Sequence, residues 1–295
     1  MYFWQKNKMN KLSILLLAVV CTFSLFAQDK QAYVIFNEKG KQVSYKQLLK
    51  AASEADITYF GEYHNNPIAH WLQYELTKDL AAQNGNKLTL GFEMFEADQQ
   101  QLLSDMASGK IEEKTFEDST RLWTNYKTDY KPLILFAKKN GIFCVASNIP
   151  RRIASTTFKK GRSGLDSLAA KEYEFMCDKN FPVDTSLSQY KMMLQMTTDH
   201  AKGLNFINAQ AIKDATMAKF MDKYWTPGTK FIHFNGAFHT DFDQGIIWYM
   251  KRLRPSATYT TITTVEQEDF KKLDKEHIGR AKFIICVNPN MTKTH

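Results

Sequence analysis

The sequence predicts an α/β fold: a mostly parallel sheet flanked by helices, with a helical insertion over the carboxyl ends of the strands. Three observations predict it. Short apolar runs alternate with amphipathic stretches of helical period along most of the chain, the pattern of βα units feeding a parallel sheet. Four of those runs release polar, mostly titratable residues at their carboxyl ends. Between PRRIA (150–154) and WTPGTK (225–230) the alternation gives way to helical patterns alone.

Taken in order, the chain of 295 residues opens on a segment that reads as an export signal rather than structure. Lys6, Lys8 and Lys11 form a basic region ahead of the apolar run LSILLLAVVCTFSLF, and Ala27 is a small residue at a plausible cleavage point. That run is shorter than the roughly 20 apolar residues a membrane-spanning helix needs. Cys21 is preceded by the bulky Val20 where a lipidated cysteine expects a small residue, so cleavage after Ala27 is favoured over a lipid anchor. The expected organisation is a signal peptide over 1–27 and one α/β domain over 28–295, placed in the periplasm or at the outer membrane.

AYVIFN then reads as a strand and SYKQLLKAASEA as a helix; DITYF is a strand, and PIAHWLQYELTKDLAAQNG a helix opened by proline and closed by glycine. KLTLGFEMF is strand-like and ADQQQLLSDMASG helical; YKPLILFAKKNG leads as a helix into the strand IFCVASN. The interval at about 151–226, with the helical stretches 165–181 and 186–225, is read as an insertion or lid over one end of the sheet. TKFIHFN, TYTTITTV and KFIICVN supply the remaining strands, with GIIWYMKRLRP as a helix after the first of them. No internal repeat or low-complexity linker interrupts the pattern.

Composition narrows the function classes. Subtracting the three signal lysines from the formal +8 leaves about +5, and no dense Lys/Arg block interleaved with aromatics appears, so nucleic acid is not an expected partner. The cysteines beyond the signal, Cys144, Cys177 and Cys286, are odd in number and widely spaced; no disulfide framework or zinc spacing is visible. Two of them lie in strand-like runs and read as buried thiols.

The chemistry concentrates at the strand ends. ITYF ends in Gly61-Glu62-Tyr63-His64, LTLGF in Glu93, IFCVAS in Asn148 followed by Arg151 and Arg152, and FIHFN in Gly236-Ala237-Phe238-His239. Ligands bind outside the carboxyl ends of parallel strands, because the loops there converge on a crevice. Parallel neighbours would therefore bring Glu62, His64, Glu93, Asn148 and His239 to one pocket. Two carboxylates and two histidines can hold a divalent metal such as zinc or iron. They can also run acid–base hydrolysis, or bind a ligand without turnover. The glycine of each G-x-x-H turn is expected to let the backbone bend sharply before the histidine. His70 and His233 read as structural. Arg151 and Arg152 read either as a solvated helix start or as an anion site. Met192, Met193 and Met196 read as adaptable core packing.

FGEYHNNPIAHWLQYEL, LGFEMFEADQQ, YKTDYKPLILFAKKNGIFCVASNIPR, DHAKGLNFINAQAIKDATMA and GAFHTDFDQGI resemble, in order from roughly Ile57 to Pro255, the ChaN-like haem-binding uptake family of the wider Tiki/TraB/erythromycin-esterase superfamily. The resemblance implies an exported α/β protein that binds haem in haem or iron uptake, with envelope uptake components and a homodimer as implied partners. Tyr130 matches a motif tyrosine as iron ligand, with Tyr63, Tyr126, His64 and His200 as alternatives, and Arg151, Arg152 or Lys202 for the propionates. The alternative implied by the superfamily's other branches is a metal-dependent peptidase or esterase, with Glu62, His64, Glu93 and His239 as catalytic and metal-holding residues.

Overall fold

The computed structural model describes residues 30–295; the signal segment 1–27, with Cys21 and the Ala27 cleavage point, lies outside the described residues. Eight strands form one sheet: β1 (Tyr33–Asn37), β2 (Gln42–Val43), β3 (Ile57–Glu62), β4 (Leu88–Glu96), β5 (Phe143–Asn148), β6 (Lys230–Gly236), β7 (Tyr259–Glu266) and β8 (Phe283–Val287). Their order is β2-β1-β8-β7-β3-β6-β4-β5. Only the β1 pairings are antiparallel; β8, β7, β3, β6, β4 and β5 run parallel. The four strands expected to deliver the polar residues are thus contiguous parallel neighbours.

Side-chain alternation along each strand sorts the core onto two faces. Phe60, Leu90, Phe92, Ile232 and Phe234 point to one face. There α1 (Tyr45–Glu54), α2 (Pro67–Asn84), α3 (Gln100–Ala107) and α5 (Lys131–Asn140) cover them, with α4 (Glu113–Ser119) at the margin. Ile57, Tyr59, Val145 and Phe231 point to the other face. They are covered by α6 (Arg151–Lys160), α8 (His200–Tyr224) and α9 (Ile246–Leu253), with α7 (Ser188–Gln195) beside them.

Local chemistry accounts for the helix starts. Ser44 and Gln47 form a reciprocal capping box on α1. At α2, Asn66 Oδ1 accepts from the amides of Ile68 at 3.1 Å and Ala69 at 3.0 Å, and Pro67 occupies the first turn, where its missing N–H costs nothing. The Asn-Asn-Pro that follows His64 is therefore a helix start.

The insertion differs from expectation in two ways. It is not only a lid: the 25 residues of α8 form the main helical layer on one face of the sheet. At the carboxyl edge the insertion contributes the start of α6, α7 and the first turns of α8. The expected helix over 165–181 is instead two 3₁₀ turns, Arg162–Ser167 and Ala170–Phe175. Leu168 and Ala169 between them are extended, which lets Met176 and Cys177 bury against α8, the Cys177 amide donating to Thr216 Oγ1 at 3.1 Å. Tertiary contact overrides helical period there. Cys144 and Cys286 are buried free thiols, as their strand-like setting predicts, and Cys177 is buried and free as well.

Candidate functional site

The two G-x-x-H turns leave adjacent strands side by side, Glu62 of β3 in register with Gly236 of β6. Neither glycine has a positive φ, so the expected sharp bend is not what requires them. Close approach requires them. A Cβ on Gly61 would lie 2.9 Å from Ala237 Cα, and one on Gly236 would lie 2.8 Å from His64 Nε2 and Cε1. Each turn's glycine makes room for the other turn.

Glu62 anchors the first half of the site. Its Oε1 lies 2.9 Å from His64 Nδ1 and accepts from the Tyr130 hydroxyl at 2.6 Å. Its Oε2 accepts from the Gln73 amide, with His70 Nδ1 3.7 Å away. Burial opposes the charge on Glu62, yet His70, His64 and Tyr130 outweigh it and hold the carboxyl below its ordinary value. For His64, burial is likewise outweighed by the hydrogen bond to Glu62 and the charge of Glu93, so its pKa is raised. Behind the pair, Asn125 Nδ2 donates to the His64 carbonyl at 2.7 Å and to Asp129 at 2.7 Å, and Thr294 donates to Asp129 at 2.7 Å. His70 Nε2 donates to the same His64 carbonyl at 3.0 Å. Trp123 packs edge-on against His64, ring centroids 4.8 Å apart.

The second half is more deeply enclosed. His239 sits between two carboxylates, Nε2 at 3.1 Å from Glu93 Oε1 and Nδ1 at 2.5 Å from Asp214 Oδ1. The other Glu93 oxygen accepts from the Gly236 amide at 2.7 Å, and Tyr190 donates to Asp214 at 3.0 Å. Burial opposes an imidazolium, but Glu93 and Asp214 together raise the pKa of His239 to about 10. Glu93 is correspondingly depressed by His239, against its burial. Asp214 is shifted upward, because burial dominates there. Two carboxylates around one imidazolium leave a surplus negative charge, and Asp214 is where burial resists it most.

Between the halves lies a cleft of about 370 Å³. Glu62, Tyr63, His64, Gly236, Ala237, Phe238 and His239 line its sheet side. Met193, Met196, Phe206 and Gln210 line its helix side. A second cleft of about 420 Å³ lies beyond Trp123 and carries Arg121, Arg151 and Arg152.

The structure distributes the predicted residues unevenly. Glu62, His64 and His239 share the cleft; Glu93 stands behind it on His239, three residues before the end of β4. Asn148 is turned onto its own helix start, accepting from Ile149 N. Tyr130, the motif tyrosine, is fully buried as a donor to Glu62, and burial and Glu62 push its pKa up. Tyr126 is also buried. Neither presents its hydroxyl to a surface-bound ligand. Tyr63 stands exposed at the cleft. His200 and Lys202 are exposed at the start of α8, and Arg152 is engaged by Asp98 and Glu172. His233 is structural as expected: burial holds its pKa near 4, and its ring lies between Asn235 Oδ1 at 3.0 Å and Ser147 Oγ at 2.8 Å. His70 is a buried brace. Met192 and Met196 depart from expectation, being exposed rather than packed in the core.

The expected metal set Glu62, His64, Glu93 and His239 is not supported. Among the described residues no three His, Cys, Asp or Glu side chains are disposed to hold a metal. The geometric reason is that the oxygens of each carboxylate are already turned to a histidine and to a neighbouring amide.

Sequence reasoning missed Asp214, Gln210, Trp123, Gln73 and Gly245. Gln210 and Asp214 carried a signal: four residues apart on α8, they fall on one helix face, and both meet His239. Gly245, at φ 53°, carries a Cα so close to the His239 carbonyl that no Cβ could fit.

Comparison with known proteins places this geometry. Residues 48–250 match the family model described as haem-binding uptake, Tiki superfamily, ChaN. No curated protein matches the chain. A solved structure described as cofacial heme binding to ChaN of Campylobacter jejuni aligns with a TM-score of 0.66 and 15% identity, covering 88% of this chain and 99% of that one. A succinoglycan biosynthesis protein aligns at TM-score 0.50 and 11% identity, covering 82% of this chain and 90% of that one. At these identities the likeness is one of fold.

Proposed function

We propose that this chain, which belongs to the ChaN haem-binding uptake family of the Tiki superfamily, binds haem in the cleft beside His64 as part of haem or iron uptake in the cell envelope. The observation that carries the reading is the cleft itself, where an imidazole held by a carboxylate faces an apolar helix-side wall. The residues present fit the group. Metal-ligating histidines give their second ring N–H to a carboxylate, which sets the tautomer and raises the basicity of the ligating nitrogen. Glu62 does this at His64 Nδ1 and leaves Nε2 without a protein hydrogen bond among the described residues. Met193, Met196, Phe206 and Phe238 offer a porphyrin face apolar contact.

When bound, haem supplies an iron centre whose ligation and potential the protein tunes. The protein's part is to hold His64 in one tautomer through Glu62, Tyr130 and Gln73, and to shield the site with Trp123 and the methionine-bearing edge. Arg151, at the neighbouring cleft, is the candidate partner for a propionate. Hemin titration of the purified protein checks the reading. A saturable Soret shift near one equivalent, weakened in His64→Ala, is expected. Absence of a saturable shift sinks it. The export reading rests on the basic and apolar segments of residues 1–27, and the mass of the mature chain tests it: a start other than Gln28 would overturn cleavage after Ala27.

The Glu62–His64 pair also favours one second reading, hydrolysis of an ester or peptide. An imidazole fixed at Nδ1 beside an accessible cleft is placed to activate water through Nε2. Turnover of an ester or peptide panel that disappears in His64→Ala would establish it; a panel without turnover leaves the cleft a binding site.

A further inference from the structure

We infer that residues 288–295 form a strap that positions the turn carrying His64, with Thr294 as the positioning residue. The bearing of this strap on ligand binding rests on the reading above that the cleft beside His64 is the working site. The segment leaves β8 at the carboxyl edge of the sheet, the edge that also releases Glu62 and His64. It turns there: Asn288 Oδ1 accepts from the Asn290 amide at 2.9 Å, and the Asn288 carbonyl from the Met291 amide at 3.1 Å. It then meets the end of β7, where Lys293 pairs with Glu266, the last residue of that strand. Because β7 lies between β8 and β3, the next strand end along this path is the one that leads to His64.

Thr294 makes two bonds at that point, to two different elements. Its amide donates to the carbonyl of Asn65, the residue after His64, at 3.0 Å. Its hydroxyl donates at 2.7 Å to Asp129 Oδ2, in the helical turn Tyr126–Tyr130. Asp129 is buried, and the same oxygen accepts from Asn125 Nδ2 at 2.7 Å with His70 Nε2 3.4 Å away. Asn125 Nδ2 in turn donates to the His64 carbonyl at 2.7 Å. Thr294 therefore holds the turn twice, directly at Asn65 and through Asp129 and Asn125 at His64 itself.

The turn has little else of its own. Between the end of β3 and the start of α2 it is closed by one backbone bond, from the Asn66 amide to the Tyr63 carbonyl at 3.0 Å. Segments that connect elements at the surface are held only as firmly as their hydrogen bonds and contacts allow. Here a segment more than 200 residues later in the chain supplies the missing bonds. The consequence reaches the cleft, because a displaced turn carries the His64 ring away from Gly236, which it approaches so closely that a Cβ there would lie 2.8 Å from it.

The test uses the full chain as wild type, Thr294→Ser and Thr294→Ala. Serine retains both donors, whereas alanine retains the amide and loses the hydroxyl. Backbone NMR order parameters at residues 63–66 should sit near the ~0.85 of rigid backbone in wild type and Thr294→Ser, and fall towards about 0.6 in Thr294→Ala. Those of β4 should stay high in all three. Hemin affinity should weaken several-fold in Thr294→Ala and recover in Thr294→Ser. A turn as rigid in Thr294→Ala as in wild type overturns the strap. A mobile turn that binds hemin as tightly as wild type overturns its positioning role. Failure of wild type to bind hemin overturns the haem reading and not the strap, which the order parameters then decide.

Discussion

The two G-x-x-H turns share a motif, leave neighbouring strands of one sheet and each set a histidine against a glutamate. Their fates differ. The His64 side chain is 40% exposed and has one carboxylate partner, whereas that of His239 is 7% exposed and has two. The difference comes from what packs on top. Helix α8 brings Gln210 and Asp214 over His239, and Tyr190 of α7 closes the far side of Asp214. His64 is flanked only by Trp123 and the cleft. One copy of the motif has become a buried charge cluster that holds the sheet edge to α8, and the other an accessible imidazole. A shared G-x-x-H pattern does not carry identical chemistry.

Removing each histidine in turn strains that contrast most. His239→Ala leaves Glu93 and Asp214 buried without their cation and should destabilise the protein by about 3–5 kcal/mol in denaturant unfolding. His64→Ala should cost less, about 1–3 kcal/mol, because the buried Glu62 carboxylate keeps Tyr130, Gln73 and His70 as partners. Equal losses would erase the distinction. Tyr130→Phe removes the 2.6 Å bond to Glu62 and should cost about 1.5–3 kcal/mol, the range for a hydrogen bond to a charged group. Hemin should still bind this variant, because the hydroxyl is buried; loss of the Soret shift with the fold intact would restore Tyr130 as the iron ligand.

Gly61→Ala drives a methyl against the Ala237 backbone and should cost about 1–3 kcal/mol by overpacking. Gly236→Ala meets the His64 ring instead, so it should weaken hemin binding more than it weakens the fold. The pH dependence tests the same cluster without a substitution. The pKa of His239 is raised from an ordinary 6.5 to about 10, so its stabilisation is complete below pH 6.5 and is lost as pH rises towards 10. Glu93 is depressed from 4.5; its contribution is present above that value and is lost as pH falls further. The midpoint of thermal unfolding should therefore decline on the alkaline side, and His239→Gln should flatten that decline. An unchanged alkaline limb in the variant would mean that His239 is not the cation of the cluster.

Much of this was legible in the chain. The apolar runs β3, β4, β5 and β6, the proline-opened α2 and the titratable residues at the strand ends all follow from short-range pattern. That those four strands lie side by side was a condition of the site and not a consequence of pattern; the sheet order β3-β6-β4-β5 supplies it. The buried hydroxyl of Tyr130 was not legible, since its motif identifies a position and not the direction of its side chain. Nor was the role of the two glycines, whose constraint comes from a neighbouring turn about 175 residues away in sequence rather than from their own φ. The insertion misled because helical period reports a helix but not whether it caps a sheet's edge or covers its face.

By itself the sequence determined the α/β alternation, the helix starts at Ser44 and Asn66, and the acid–imidazole pair of Glu62 and His64, because each depends on residues close in the chain. Tertiary structure decided which histidine is open, which tyrosine is sealed and which methionines face the cleft. Burial depends on long-range packing: whether α8, α7 or Trp123 comes to lie over a given strand end sets how much water each side chain retains.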